Sequence, residues 1–124
     1  MEFQLVKKNI LLEKTFDFAV QSVKLAQTIQ QKNKEYVITR QFLKSATSIG
    51  ANSEEAIAGQ STADFISKLS IARKEARETL YWLRLMKACD LHDCSTQIND
   101  VNEIIKILTS IIKTTQQNES KPNL

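Results

Sequence analysis

Residues 65–86 read FISKLSIARKEARETLYWLRLM. Within this stretch Phe65, Leu69, Ala72, Ala76, Thr79, Leu83 and Met86 recur at steps of four and three. That spacing keeps side chains on one face of an α-helix. No glycine or proline interrupts the run. Ser61 or Thr62 can cap its start, Asp64 suits the positive end of the helix dipole and Lys87 the negative end. The stretch predicts a helix over about residues 62–89 with one apolar seam turned to a core.

The same period extends outward in both directions. Thr39, Phe42, Ala46, Ile49, Ser53 and Ala56 predict a helix over about 36–58, stopped by Gly59. Its stripe is made largely of small residues, which predicts close approach to a neighbouring helix. Gly50 lies inside it at a cost of about 1 kcal/mol relative to alanine, which either close packing offsets or a bend explains. Leu12, Phe16, Ala19, Val23 and Ala26 predict a first helix over about 10–31, with Asn9 as its N-cap. Ile98, Val101, Ile105, Leu108 and Ile112, broadened by Ile104, Ile107 and Ile111, predict a fourth over about 95–115, capped by Asp93 or Ser95. Residues 116–124 are polar and are expected to fray. Four amphipathic helices joined by short loops predict an all-α fold, an antiparallel up-down-up-down four-helix bundle. The expected domain is single and spans 1–124, with an ordered core over about 10–115.

Composition supports this reading. The chain has 124 residues with two glycines and one proline, too few turn residues for a β-rich fold. No apolar run approaches the roughly 20 residues that span a bilayer. No signal-peptide pattern follows the start, so the expected location is cytoplasmic, with no membrane partner. Two cysteines are too few for a disulfide framework. The formal charge of +3 permits a nucleic-acid partner without demanding one.

The positive charge is concentrated on the third predicted helix. Between Phe65 and Cys89 there are six basic and two acidic residues, while the rest of the chain is slightly acidic. At 100° per residue, Arg73, Arg77, Arg84 and Lys87 fall within an arc of about 80° beside the seam. Solvated helix faces usually pair acids and bases three or four residues apart. Lys74 has such a partner in Glu78, but Arg73, Arg77 and Arg84 have none. These arginines suit either an anionic partner such as RNA or DNA, or carboxylates on a neighbouring helix or subunit. On the opposite flank Ile71, Glu75, Glu78, Trp82 and Leu85 form a second stripe. Its apolar members would be partly exposed in a monomer, which predicts an oligomer interface formed by Ile71, Glu78, Trp82 and Leu85.

Catalytic equipment is not apparent. Cys89, His92, Asp93 and Cys94 are zinc-ligand types, but they form one cluster at a turn rather than two pairs joined across a loop. They read as a turn histidine beside idle thiols. The lone histidine sits in no Ser-His-Asp or Cys-His arrangement, no Glu-x-x-His pair exists, and there is no phosphate-binding glycine loop. Glu54 and Glu55 read as surface or interface charges. No catalytic residue, metal or cofactor is expected.

Two segments resemble a known family. They are SATSIGANSEEA at 45–56 and ADFISKLSIARKEARETLYWL at 63–83. Together they are similar to the bacterial four-helix-bundle family named for 23S rRNA intervening sequences, with a likeness covering about residues 10–115. The resemblance implies a left-handed bundle that assembles into a homopentameric, barrel-like ring without enzymatic activity. A related protein, the accessory variability determinant of diversity-generating retroelements, binds nucleic acid and a reverse transcriptase through basic surfaces. Lys68, Arg73, Lys74, Arg77, Arg84 and Lys87 are the residues here that such a role could use. Asn52 matches the family motif and is expected to bond a nearby backbone group rather than RNA. Two functions follow as expectations: nucleic-acid binding by an oligomeric bundle, or a protein–protein adaptor in which the arginines pair between subunits.

Overall fold

A computed structural model of the protein describes residues 2–120. It contains four helices: α1 (Glu2–Asn33), α2 (Val37–Ala58), α3 (Thr62–Ala88) and α4 (Ser95–Glu119). Side-chain bonds between helices fix their directions. Lys7 reaches Ser110 and Lys14 reaches Glu103, so α1 and α4 run antiparallel. Lys68 meets Glu55 and Thr79 meets Ser45, which sets α3 antiparallel to α2. Gln30 meets Thr39 across the short connection between α1 and α2. Each helix packs on two neighbours in the cyclic order α1, α2, α3, α4, and diagonal backbones do not come close among the described residues. The fold is an antiparallel up-down-up-down four-helix bundle. Among the described residues, no helix is long and apolar enough to cross a membrane.

α2 and α3 bury the stripes their sequences predict. Thr39, Phe42, Ala46, Ile49, Ser53 and Ala56 are buried on α2, together with Ser45 and Gly50. On α3 the seam from Leu69 to Met86 is buried, and Phe65 packs half-buried at its end. Of the two accounts of Gly50, close packing is seen. A Cβ there would lie 3.4 Å from the Thr15 carbonyl oxygen of α1. Ser61 caps α3 by accepting from the Asp64 amide at 3.0 Å. The N-cap of α4 is Cys94 rather than the expected Asp93 or Ser95; Asp93, one residue earlier, accepts from the Ser95 amide at 3.2 Å and the Ser95 hydroxyl at 2.7 Å. Asn52 donates to the Ser48 carbonyl at 2.9 Å, the backbone bond its setting suggested.

The first helix departs from its sequence reading in two ways. It begins at Glu2, so Asn9 lies exposed inside it rather than capping it. Its core face is Leu11, Thr15, Phe18, Ser22, Leu25, Ala26 and Ile29. The predicted stripe lies about 100° round from that face and shares only Ala26 with it. Phe16 is 63% exposed and Val23 38%. α1 carries two stripes at helical spacing, and the buried one is disguised by two hydroxyls. Thr15 and Ser22 each bond a carbonyl of their own helix, Leu12 and Phe18, at 3.3 and 2.7 Å, which makes their burial cheap. α4 also runs further than expected, to Glu119. The rest of the expected frayed tail, 121–124, lies outside the described residues.

One cap was not foreseen. The Glu35 carboxylate accepts from the amides of Val37, Ile38 and Thr39 at 3.0, 2.9 and 2.9 Å, filling orphan donors at the start of α2. Burial alone would raise this carboxyl, but the amides of Ile38, Thr39 and Val37 outweigh it and hold the group below its ordinary value of 4.5. A depressed folded-state value means that the carboxylate stabilises the fold at any pH above 4.5, and that this is lost as pH falls through the lower folded value. Glu35→Ala is expected to cost about 1–2 kcal/mol in urea unfolding at neutral pH. The gap between variant and parent should narrow in strong acid; a gap independent of pH would contradict the carboxylate's role.

Candidate nucleic-acid interface on the third helix

α3 lies between α2 and α4, and its bonds to each divide its surface. Thr79 donates to Ser45 at 2.9 Å and Lys68 pairs with Glu55 at 3.2 Å, which sets α2 against one flank. Lys87 donates to Ser95 at 2.9 Å, which sets α4 against the other. Stepping 100° per residue from these anchors puts Arg73, Arg77 and Arg84 on the α4 flank and Ile71, Glu75 and Trp82 on the α2 flank. Lys74, Glu78, Tyr81 and Leu85 occupy the outward arc between them.

The six basic candidates are therefore not equivalent. Lys68 stands on the α2 side and is already paired with Glu55. Lys87 is exposed but engages the α3–α4 turn through Ser95. Lys74, Arg77 and Arg84 are exposed and Arg73 is half-buried. Among the described residues, ion pairs form at Lys14–Glu103 and Lys68–Glu55, and none forms at Lys74, Arg73, Arg77 or Arg84. The expected Lys74–Glu78 ion pair does not form, which leaves Lys74 among the unpaired cations. The Glu78 carboxylate accepts the Trp82 indole N–H at 3.1 Å, one helical turn on.

The candidate interface residues are partly open. Ile71 is 40% exposed, while Trp82 and Leu85 are half-buried, and Trp82 packs on the core. Tyr81 had no place in the sequence reading, yet it is 54% exposed. Its ring meets that of Trp82 edge-on, with centroids 5.1 Å apart and planes at 75°. The available signal was its position, four residues after Arg77 and three before Arg84. Two further exposed apolar residues, Phe16 and Val23 on α1, went unassigned because they had been given to the core.

The two cysteines sit in different settings. Cys89 is exposed, Cys94 is buried, and burial with the neighbouring Asp93 charge pushes the Cys94 thiol up to about 11. Among the described residues, no group of three or more His, Cys, Asp or Glu side chains is placed to hold a metal ion.

The arginines contribute little to the stability of the subunit. Arg73 and Arg77 repel one another at a spacing of four, and neither Arg77 nor Arg84 has an acidic partner. Arg77→Glu and Arg84→Glu are each expected to change unfolding free energy by no more than about 0.5 kcal/mol in either direction. A loss several times larger would mark them as structural.

Comparison with known proteins places the chain in context. No curated protein matches it. A crystal structure of a protein of unknown function from the S23 ribosomal protein family of Bacteroides thetaiotaomicron is similar, with 46% sequence identity and a TM-score of 0.85. The likeness covers 86% of this chain and 98% of that one. The family model described as 23S rRNA-intervening sequence protein matches residues 7–114. With nearly its whole helical bundle inside that match, the chain belongs to the 23S rRNA-intervening sequence protein family.

Proposed function

We propose that this protein is a non-enzymatic, self-associating cytoplasmic bundle that binds RNA or DNA through phosphate contacts on α3. The observation that carries the reading is the clustering on α3 of Lys74, Arg73, Arg77 and Arg84, none of which forms an ion pair, whereas Lys68 on the same helix pairs with Glu55. Four uncompensated charges on one arc of a helix raise the local potential and attract an anion. Guanidinium groups match phosphate in bidentate geometry, which favours arginine for such contacts. Binding of this kind positions a backbone without reading its sequence.

The binding should be strongly salt-dependent. With about three phosphates neutralised per subunit, raising salt fourfold should weaken binding roughly 20- to 40-fold. Titration of labelled RNA and DNA at low and moderate salt tests this. The double variant Arg73→Glu, Arg77→Glu should abolish binding at both salts; unaltered affinity in that variant would refute the assignment.

An adaptor without nucleic-acid binding is the second reading, and it needs the same self-association, which the exposed apolar side chains support. Ile71 and Trp82 lie on α3, while Phe16 and Val23 lie on the diagonally placed α1. Two different apolar faces on one subunit suit head-to-tail contacts, which close into rings when the rotation allows. The family resemblance implies such a ring. Self-association is common to both readings and is tested by mass in solution. Ile71→Glu, at a position already 40% exposed, should leave the helices folded and reduce the assembly to a smaller species. A folded variant of unchanged mass would remove the α3 face from the interface.

A further inference from the structure

We infer that the nucleic acid bound by α3 is single-stranded, with Tyr81 as the platform on which a base stacks; this rests on the nucleic-acid reading above. Tyr81 lies between Arg77 and Arg84, one turn from each, so all three side chains share a single patch of helix surface. The ring is 54% exposed, although a tyrosine on a solvated face gains nothing from that exposure.

The platform is held in place. The Tyr81 and Trp82 rings pack edge-to-face with centroids 5.1 Å apart, and Trp82 is fixed in turn by packing on the core and by its bond to Glu78. An exposed ring steadied by such a neighbour loses little freedom when a base stacks on it. Beside it runs an open groove between the end of α3 and the start of α4. Leu85, Ala88 and Ile98 supply its apolar surface, Arg84 and Lys87 its cations, and Asp90 its one acid. An aromatic ring, an apolar track and flanking cations are the elements by which proteins hold unpaired strands, stacking bases while neutralising phosphates. A duplex shows its phosphates to such a surface but keeps its base faces within the stack, so Tyr81 adds nothing to duplex binding.

The test compares unstructured single-stranded RNA with a duplex of equal length, by anisotropy at low salt, for the parent, Tyr81→Ala and Tyr81→Phe. Tyr81→Ala should weaken single-strand binding on the order of 10- to 100-fold and leave the duplex affinity and the salt slope unchanged. Tyr81→Phe keeps the ring and should bind as the parent does. The sole tryptophan, Trp82, adds a direct readout, because a base stacked on the adjoining ring should alter its emission in the parent and not in Tyr81→Ala. Equal single-strand binding by parent and Tyr81→Ala overturns the inference, as does an equal loss on the duplex. If the arginine double variant abolishes binding while Tyr81→Ala does not weaken it, the platform fails and the phosphate reading stands. A parent that binds neither strand form overturns both.

Discussion

The bundle depends on how closely α2 lies against the helices on either side. Its inner face is built from Ser, Ala, Gly and Thr around two large residues, Phe42 and Ile49. At Gly50 the bare backbone meets the Thr15 backbone of α1, and at Ser45 a hydroxyl meets Thr79 of α3 directly. Such contacts need small side chains on both partners, since a larger group would hold the backbones apart. The polar character of these residues does little harm. The buried polar residues Thr15, Ser22, Thr39, Ser45, Ser53 and Thr79 are all Ser or Thr; the first five each donate to a carbonyl within or just before their own helix, and Thr79 has both the Ser45 hydroxyl and the Glu75 carbonyl within reach of its one proton. Among the described residues, no buried hydroxyl is left unbonded to count against the core.

This close seat fixes α3 and so decides what the rest of that helix can do. With its seam locked toward α2 and the core, and α4 against its far flank, the outward arc is set rather than free to roll. Arg73, Arg77 and Arg84 are held together on the α4 flank beside that arc, with no ion pair to a carboxylate among the described residues. Lys74 beside them also forms no ion pair, although Glu78 stands four residues on. Local pairing within a helix is worth only a few tenths of a kcal/mol, so its absence costs little. Glu78 instead accepts the Trp82 indole N–H. The same bond and packing steady Tyr81. Charge, aromatic surface and rigidity thus meet on one element for reasons that begin in the packing of another.

Much of the fold was legible from periodicity. The stripes of α2, α3 and α4, the cap at Ser61 and the stop at Gly59 follow from residue types at particular spacings. Gly59 ends α2 in extended conformation, at φ −67° and ψ 160°, and left-handed geometry falls instead to Lys34 and Asp90 at the ends of α1 and α3. The α1 core face was misread because hydrophobicity was used to find it. Leu12, Phe16, Ala19 and Val23 look more apolar than a face containing Thr15 and Ser22, yet those hydroxyls bond inward and the close contact at Gly50 requires that face. Glu35 escaped notice because a long carboxylate capping from one position further upstream is not among the short side chains that usually mark a helix start.

For the candidate surface, the sequence alone determined which helix holds the excess charge and that three arginines lack acids at helical spacing. These are properties of a single helix, set by the 100° step and readable from one strand of text. Which cations remain free was decided only by tertiary structure. Lys68 met Glu55 from another helix, Lys87 met Ser95 across a turn, and Lys74 formed no pair with Glu78. Such choices depend on which side chains neighbouring helices bring within reach. The exposure of Tyr81 and of Phe16 has the same origin, since a helix does not state which of its apolar residues its neighbours will cover.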